Sequence, residues 1–359
     1  MAVTTDQVLS ALRAVQDPDL RHDLVSLGFI KQLAIEGDRV AFAIELTTPA
    51  CPVREQMKAQ AEAAVLAVPG VRQVDVTMTS QVRPSVAPPA GAGLPAIKNI
   101  ILIASGKGGV GKSTVTANLA HALARSGASV GVMDADVYGP SIPTLLGVRA
   151  QPEVDAQNRI SPVMQDGLKV ISMGFFMKPD DAVVWRGPML HKTIQQFLGG
   201  VDWGALDYLL VDLPPGTGDV QLSLCQSIPV AGAVIVSTPQ DVALNVAQKA
   251  ITMFKKLNAP ILGIIENMSA YVCPHCGQQD DVFGSGGARK TAERLGIPFL
   301  GAIPLATTVR VASDAGKPVV LSQPDSPIAK AFIHAAEQLA AQASIRAMQA
   351  ESAPVKVTF

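Results

Sequence analysis

Aromatic residues make up only 4% of this chain and charged residues 16%, against 48% hydrophobic residues. That balance excludes an intrinsically disordered chain, whose signature is low hydrophobicity with high charge. Neither sign of charge is in excess: 29 Lys and Arg face 30 Asp and Glu, for a formal net charge of −1. Without a basic surplus, phosphate neutralisation cannot drive binding, so no nucleic-acid partner is expected. Long apolar runs are missing as well. The run from Ile100 to Ala104 falls far short of the roughly 20 residues that cross a bilayer, so no membrane partner is expected. Cysteine is scarce: Cys51, Cys225, Cys273 and Cys276 are the four present, too few for a disulfide scaffold. The opening MAVTTDQVLS has no basic stretch leading into an apolar one. A reducing, cytoplasmic setting is therefore expected, where a Cys-x-x-Cys pair binds metal or cycles between redox states.

The chain has 359 residues, enough for two or three domains. Residues 84–95, PSVAPPAGAGLP, carry four prolines and no charge, which is linker composition. The expected organisation is a small α+β domain over 1–80, a Pro/Ala/Gly-rich linker over 81–97 and a large α/β domain over 98–350. In the small domain, Val8, Leu12 and Val15 fall at helical spacing, and strand patterns flank the turn Glu36-Gly37-Asp38. In the large domain, short apolar strands at 98–104, 129–134, 168–172, 207–212, 231–237, 261–266 and 298–303 alternate with helical stretches at 112–126, 240–257, 286–295 and 326–347. Continuous apolar strands between helices predict a mostly parallel, doubly wound sheet covered on both faces. In such sheets ligands bind beyond the carboxyl ends of the strands.

The motifs fall at those ends. Gly106-Lys107-Gly108-Gly109-Val110-Gly111-Lys112-Ser113-Thr114 follows the strand NIILIA and opens the helix STVTANLAHALA. This is the phosphate-binding loop, whose glycines turn backbone N–H groups onto phosphate oxygens at a helix N-terminus. Lys112 is expected at the β and γ phosphates of ATP, and Ser113 at Mg²⁺. Strand 207–212 ends in Asp212, which fits a carboxylate reaching Mg²⁺, and Gly216 lies in the following loop, where backbone must approach the γ-phosphate. Strand 129–134 ends in Asp134-Ala135-Asp136. Asp134 is expected to support phosphate or metal geometry. Asn267, after strand 261–266, can donate and accept at once, which matches the edge of adenine.

Lys107 is not required by an ordinary phosphate loop. It resembles the signature lysine of the deviant Walker A NTPases, the group of MinD, ParA and nitrogenase iron protein, in which two subunits meet over two nucleotides. The resemblance implies that Lys107 acts on the partner subunit's nucleotide, and that Asp136 is the switch aspartate that orients the attacking water and reaches the Mg²⁺ site.

Cys273 and Cys276 have metal-ligand spacing, but no second Cys-x-x-Cys exists in the chain. Two chains, each giving one pair, would supply four thiolates, suited to a 4Fe–4S cluster or to zinc. The ordered segments GKGGVGKST, DADVYGPSIP, VDLPPGTGD, ENMS, CPHCG, FGSGG and GIPFLGAIPL closely resemble the Mrp/ApbC family of iron–sulfur cluster carrier ATPases, over about 98–335. That resemblance implies a homodimer, one ATP site per subunit and a labile cluster bridged by Cys273 and Cys276 of both chains. It also implies transfer to apo iron–sulfur proteins, alongside cluster-assembly factors. DPDLRHDLVSLGFI and LTTPACPVREQM resemble the small domain of SufT-like and PaaD-like iron–sulfur maturation proteins, in which Cys51 matches a motif cysteine. Cys225, among apolar neighbours, reads as core. The competing reading is a MinD- or ParA-like positioning ATPase. It lacks a basic amphipathic C-terminal helix here, since residues 328–349 carry only Lys330 and Arg346 as fixed positive charges.

Overall fold

The computed structural model describes residues 3–85, 96–177, 187–273 and 275–352. The chain divides into two compact units, Met1–Arg83 and Pro84–Phe359. Most of the expected linker, 86–95, lies outside the described residues. Both flanks of that stretch are tied into regular structure. The Gln81 N–H donates to the Leu46 carbonyl (2.8 Å), prolonging a strand pair of the small unit. Ser85 is buried in the large unit. Its N–H donates to Asn99 Oδ1 (3.1 Å), and its hydroxyl lies against the same oxygen and the Ala343 carbonyl (3.1 Å).

The small unit has a three-stranded sheet, Ile30–Glu36, Arg39–Leu46 and Gln73–Ser80, the first pair antiparallel and the second parallel. Helix Arg54–Leu66 lies against the sheet, and helix Thr5–Leu12 against that helix. Thr4 and Gln7 form a reciprocal capping box that satisfies two N–H groups at the start of the first helix. Val8, Leu12, Ile44, Met57 and Ala61 fill the core, and Cys51 packs half-buried at its margin.

In the large unit, β1 (Ile97–Ser105), β2 (Val130–Asp134), β3 (Leu168–Ser172), β4 (Leu206–Asp212), β5 (Gly232–Ser237), β6 (Ile261–Val272) and β7 (Phe299–Leu305) form one parallel sheet. Their order is β3-β2-β4-β1-β5-β6-β7, with short antiparallel strands Val163–Gln165 and Gln279–Asp280 added at β3 and β6. Successive side chains point to opposite faces of a strand. Ile101, Leu102 and Ile103 in β1 are all fully buried, so both faces of the sheet are covered. The cover includes α1 (Lys112–Arg125), α2 (Asp219–Ser227), α3 (Asp241–Lys256), α4 (Gly287–Leu295) and α5 (Pro327–Ser352).

The expected strand 261–266 is longer than its pattern implied. β6 continues to Val272 through an irregularity: its pairing with β7 shifts between Asn267 and Tyr271, and Met268 takes a left-handed φ of 57°. Asn-Met-Ser reads as a strand-ending turn because the apolar run stops there. The backbone instead absorbs a bulge and resumes pairing. Helix Gly187–Gly199 has no counterpart in the sequence reading.

Candidate functional site

The loop between β1 and α1 has its glycines for different reasons. A Cβ on Gly106 would lie 2.6 Å from the Ala247 backbone nitrogen, so Gly106 lets α3 approach. Gly109 and Gly111 both have φ of 79°, the left-handed region that glycine enters without a steric penalty. Gly111 is the N-cap of α1 and brings no capping side chain, which leaves the first N–H groups of the helix available to an anion. A cavity of about 270 Å³ opens there, lined by Gly108 through Thr114 with Ser105, Asp136, Ser141 and Pro215. A larger hollow, about 810 Å³, lies between α2 and α3 near Leu222 and Met253; of the motif segments it touches only Thr217, and none of the candidate site residues lines it.

Lys112 is buried and turned inward. Its Nζ donates to Asp212 Oδ2 at 2.7 Å and stands 3.8 Å from Asp136 Oδ2. Asp212, fully buried at the end of β4, also receives Ser113 Oγ (2.6 Å) and Thr116 Oγ1 (2.7 Å). Asp134 receives the N–H groups of Asp136 and Ile142 (both 3.1 Å) and the Ser172 hydroxyl (2.9 Å). It therefore pins the loop that carries Asp136. Burial, then the nearby Asp212 charge, pushes the Asp134 carboxyl up. Burial likewise raises Asp136, opposed by Lys112 and reinforced by Asp212. Two buried carboxylates, Asp136 and Asp212, share the one ammonium of Lys112, with Asp134 close to Asp212, an excess of acidic groups that favours an added cation. The oxygen donors of Ser113, Asp136 and Asp212 suit a hard ion such as Mg²⁺.

The remaining candidates take other partners. The Gly216 N–H donates to the Ser105 carbonyl (2.9 Å), and Gln221 Nε2 braces the same loop through the Pro214 and Gly216 carbonyls (2.8 and 3.2 Å). Lys107 does not line the cavity of its own loop; its ammonium stands 3.5 Å from Gln240 Oε1, at the N-cap of α3. Asn267 is buried and donates from Nδ2 to the Val110 carbonyl (2.8 Å). Its amide therefore holds the phosphate loop rather than standing open to a base.

Cys273 directly follows β6. Its N–H donates to the Gln278 carbonyl (3.0 Å), its own carbonyl receives the Gly277 N–H (2.9 Å), and Tyr271 and Val272 pair with Asp280 and Gln279. The two cysteines thus sit on a tight turn, Cys273 half-buried and Cys276 exposed. Hydrogen bonds from the Cys276 and His275 backbone and from the Cys276 side chain lower the Cys273 thiol below its usual range, which favours the thiolate that binds metal. Among the described residues, no group of three or more His, Cys, Asp or Glu is placed to hold a metal ion. Cys225, on α2, is pushed up to about 11 by burial, an inert thiol.

The sequence reading missed Thr116, Ser172 and Glu266. Glu266 is buried and its carboxylate accepts the N–H groups of Gly286 (2.8 Å) and Ala288 (2.7 Å) at the start of α4. The glycine pair before that helix, in FGSGG, was the available signal.

The family model for NUBPL iron-transfer P-loop NTPases matches residues 96–340. The chain belongs to that family. The model for iron–sulfur cluster assembly proteins matches residues 5–77 of this NUBPL-type NTPase. It is 49% identical over 352 residues to an iron–sulfur cluster carrier protein of Synechocystis, covering 96% of this chain and 99% of the relative. It is 51% identical to the mouse iron–sulfur cluster transfer protein NUBPL, over 68% of this chain and 77% of that one. Among solved structures, the nucleotide-binding protein of Archaeoglobus fulgidus in complex with ADP is 41% identical with a TM-score of 0.58, over 66% of this chain and 93% of that one. No described helix is long and apolar enough to cross a membrane.

Proposed function

We propose that this chain is an ATP-dependent iron–sulfur cluster carrier that holds its cargo between two subunits and delivers it to apo-proteins. The observation that carries the reading is the turn bearing Cys273 and Cys276, accessible, biased toward thiolate and, among the described residues, without further ligands gathered around it. Four cysteine thiolates bind a 4Fe–4S cargo, and two copies of this turn supply four. The relatives' names, iron–sulfur cluster carrier and transfer protein, support the same cargo.

In the nucleotide site, Gly108 to Thr114 would cradle phosphates with backbone N–H groups, and Lys112 would leave Asp212 for the β and γ phosphates. Mg²⁺, held by Ser113 with Asp136 and Asp212 nearby, would neutralise charge on the phosphates. Asp136 would orient water for hydrolysis, and Lys107, whose ammonium stands by Gln240 and does not line its own cavity, would reach the nucleotide of the partner subunit. Asn267 would approach adenine only after changing its present hydrogen bond. Hydrolysis would then serve cluster binding or release, in the cytoplasm.

The test is anaerobic purification with iron and sulfide analysis and an absorption spectrum. Thiolate-to-iron absorption with one four-iron cluster per dimer is expected. Stoichiometric zinc with no iron uptake on anaerobic reconstitution would refute the reading.

A further inference from the structure

The phosphate loop and the cysteine turn are joined by one strand. β6 carries Asn267, bonded to the Val110 carbonyl, and Cys273 follows its last residue, Val272. Consecutive residues of a regular strand face opposite sides of the sheet. Here they do not. A Cβ on Gly111 would collide with the Asn267 amide nitrogen and would lie 3.6 Å from Met268 Cε, so both side chains converge on the helix-capping glycine of the phosphate loop. The left-handed backbone at Met268, φ 57°, makes this possible. Such a conformation costs a non-glycine residue on the order of 1–2 kcal/mol and persists where its surroundings impose it. Beyond the bulge, Tyr271 pairs with both Leu305 and Asp280, so the position of the resumed strand fixes the cysteine turn.

From this arrangement we infer that Asn267 and Met268 are positioning residues that couple the phosphate loop to the cysteine turn, so that nucleotide occupancy sets the accessibility of Cys273 and Cys276. The inference rests on the nucleotide and cluster sites proposed above. Val110 and Gly111 belong to the loop whose backbone must receive phosphate. Any adjustment of that backbone alters the seat of Asn267 and Met268. The bulge can relax or tighten while Glu266, one residue earlier, stays fixed by its two bonds to the start of α4. Movement then passes toward Val272 and Cys273 rather than back into the sheet.

The test is thiol alkylation of the full-length, reduced, metal-free protein, with the peptide carrying Cys273 and Cys276 followed by mass spectrometry. Rates are compared without nucleotide, with ADP and with a non-hydrolysable ATP analogue. In the wild type the rate should change by about fivefold or more between nucleotide states, the low end of couplings between distinct sites. Met268→Gly relieves the backbone strain at this position and removes the side chain over Gly111, and should flatten that ratio while nucleotide still binds by calorimetry. Asn267→Ala should flatten it too. An unchanged ratio in Met268→Gly, or no nucleotide effect in the wild type, overturns the coupling. Iron analysis of the same preparations is a separate readout. Absence of iron with an intact alkylation response would refute the cargo and leave the coupling standing.

Discussion

Lys112 and Asp212 form a buried ion pair, Nζ to Oδ2 at 2.7 Å, across the end of the sheet. The pair occupies the lysine proposed to meet the β and γ phosphates, so on that proposal nucleotide would exchange one anion for another at Lys112. Deleting one partner leaves the other buried without its counter-charge, which costs about 3–5 kcal/mol. Lys112→Ala should therefore lose both ATP affinity, read by calorimetry, and thermal stability. A variant that binds ATP normally would remove Lys112 from the phosphate site.

Lys107→Ala should behave differently. Its ammonium stands by Gln240 and lines no part of its own cavity. Binding should persist while phosphate release falls sharply, because the proposed role is across the dimer. Normal hydrolysis would sink that role.

Cys273→Ala and Cys276→Ala should each abolish cluster absorption after reconstitution, since either leaves two thiolates for the pair of subunits. Cys225→Ala should retain it, because that thiol is held protonated by burial. Loss of the cluster in Cys225→Ala with the fold intact would contradict the assignment.

Acid should destabilise the large unit through His121. This side chain is buried in α1, its Nε2 has no hydrogen-bond partner among the described residues, and burial lowers its pKa from 6.5 to about 4. Between those values the unfolded chain holds a proton that the fold refuses, so stability falls as pH drops from 6.5 toward 4. The loss should approach about 3 kcal/mol, at about 1.4 kcal/mol per unit. Denaturant titrations across that range should show a shallower slope in His121→Leu than in the wild type.

Ser85 makes the boundary of the large unit testable. A chain beginning at Pro84 keeps the Ser85 contacts to Asn99 and Ala343, whereas one beginning at Ala96 loses them. Both should bind ATP and assemble the cluster, and the shorter chain should melt at lower temperature. Equal melting temperatures would show that Ser85 adds nothing. Cys51→Ser should slow transfer to an apo-acceptor without affecting assembly; an unchanged transfer rate would leave Cys51 as packing.

The phosphate loop was legible because its chemistry forces glycines, Lys112 and Ser113 into a fixed local spacing between a strand and a helix. Asp134 and Asp212 were legible as charged endings of apolar strands. What stayed hidden depends on partners distant in sequence. Asn267 reads as a group open to adenine until Val110, 157 residues earlier, is seen to occupy it. Ser85 reads as linker until Ala343 is brought to it. His121 looks like any polar residue on a helix, because its burial depends on packing distant in sequence; the charge that acts on it, Asp166, lies 45 residues on. The continuation of β6 was hidden because a bulge breaks the apolar pattern at the point where the strand serves the site.

Two helices at this edge of the sheet begin after a left-handed glycine, α1 after Gly111 (φ 79°) and α4 after Gly286 (φ 73°). Each presents bare N–H groups and the positive end of a helix dipole, so either could attract an anion. Glu266 occupies the second with its own carboxylate, through Gly286 and Ala288. A phosphate approaching this edge therefore meets one helix start without a capping side chain and one already capped from within. The carboxylate of Glu266 thus leaves the start of α1, and not that of α4, to an anion from outside the chain.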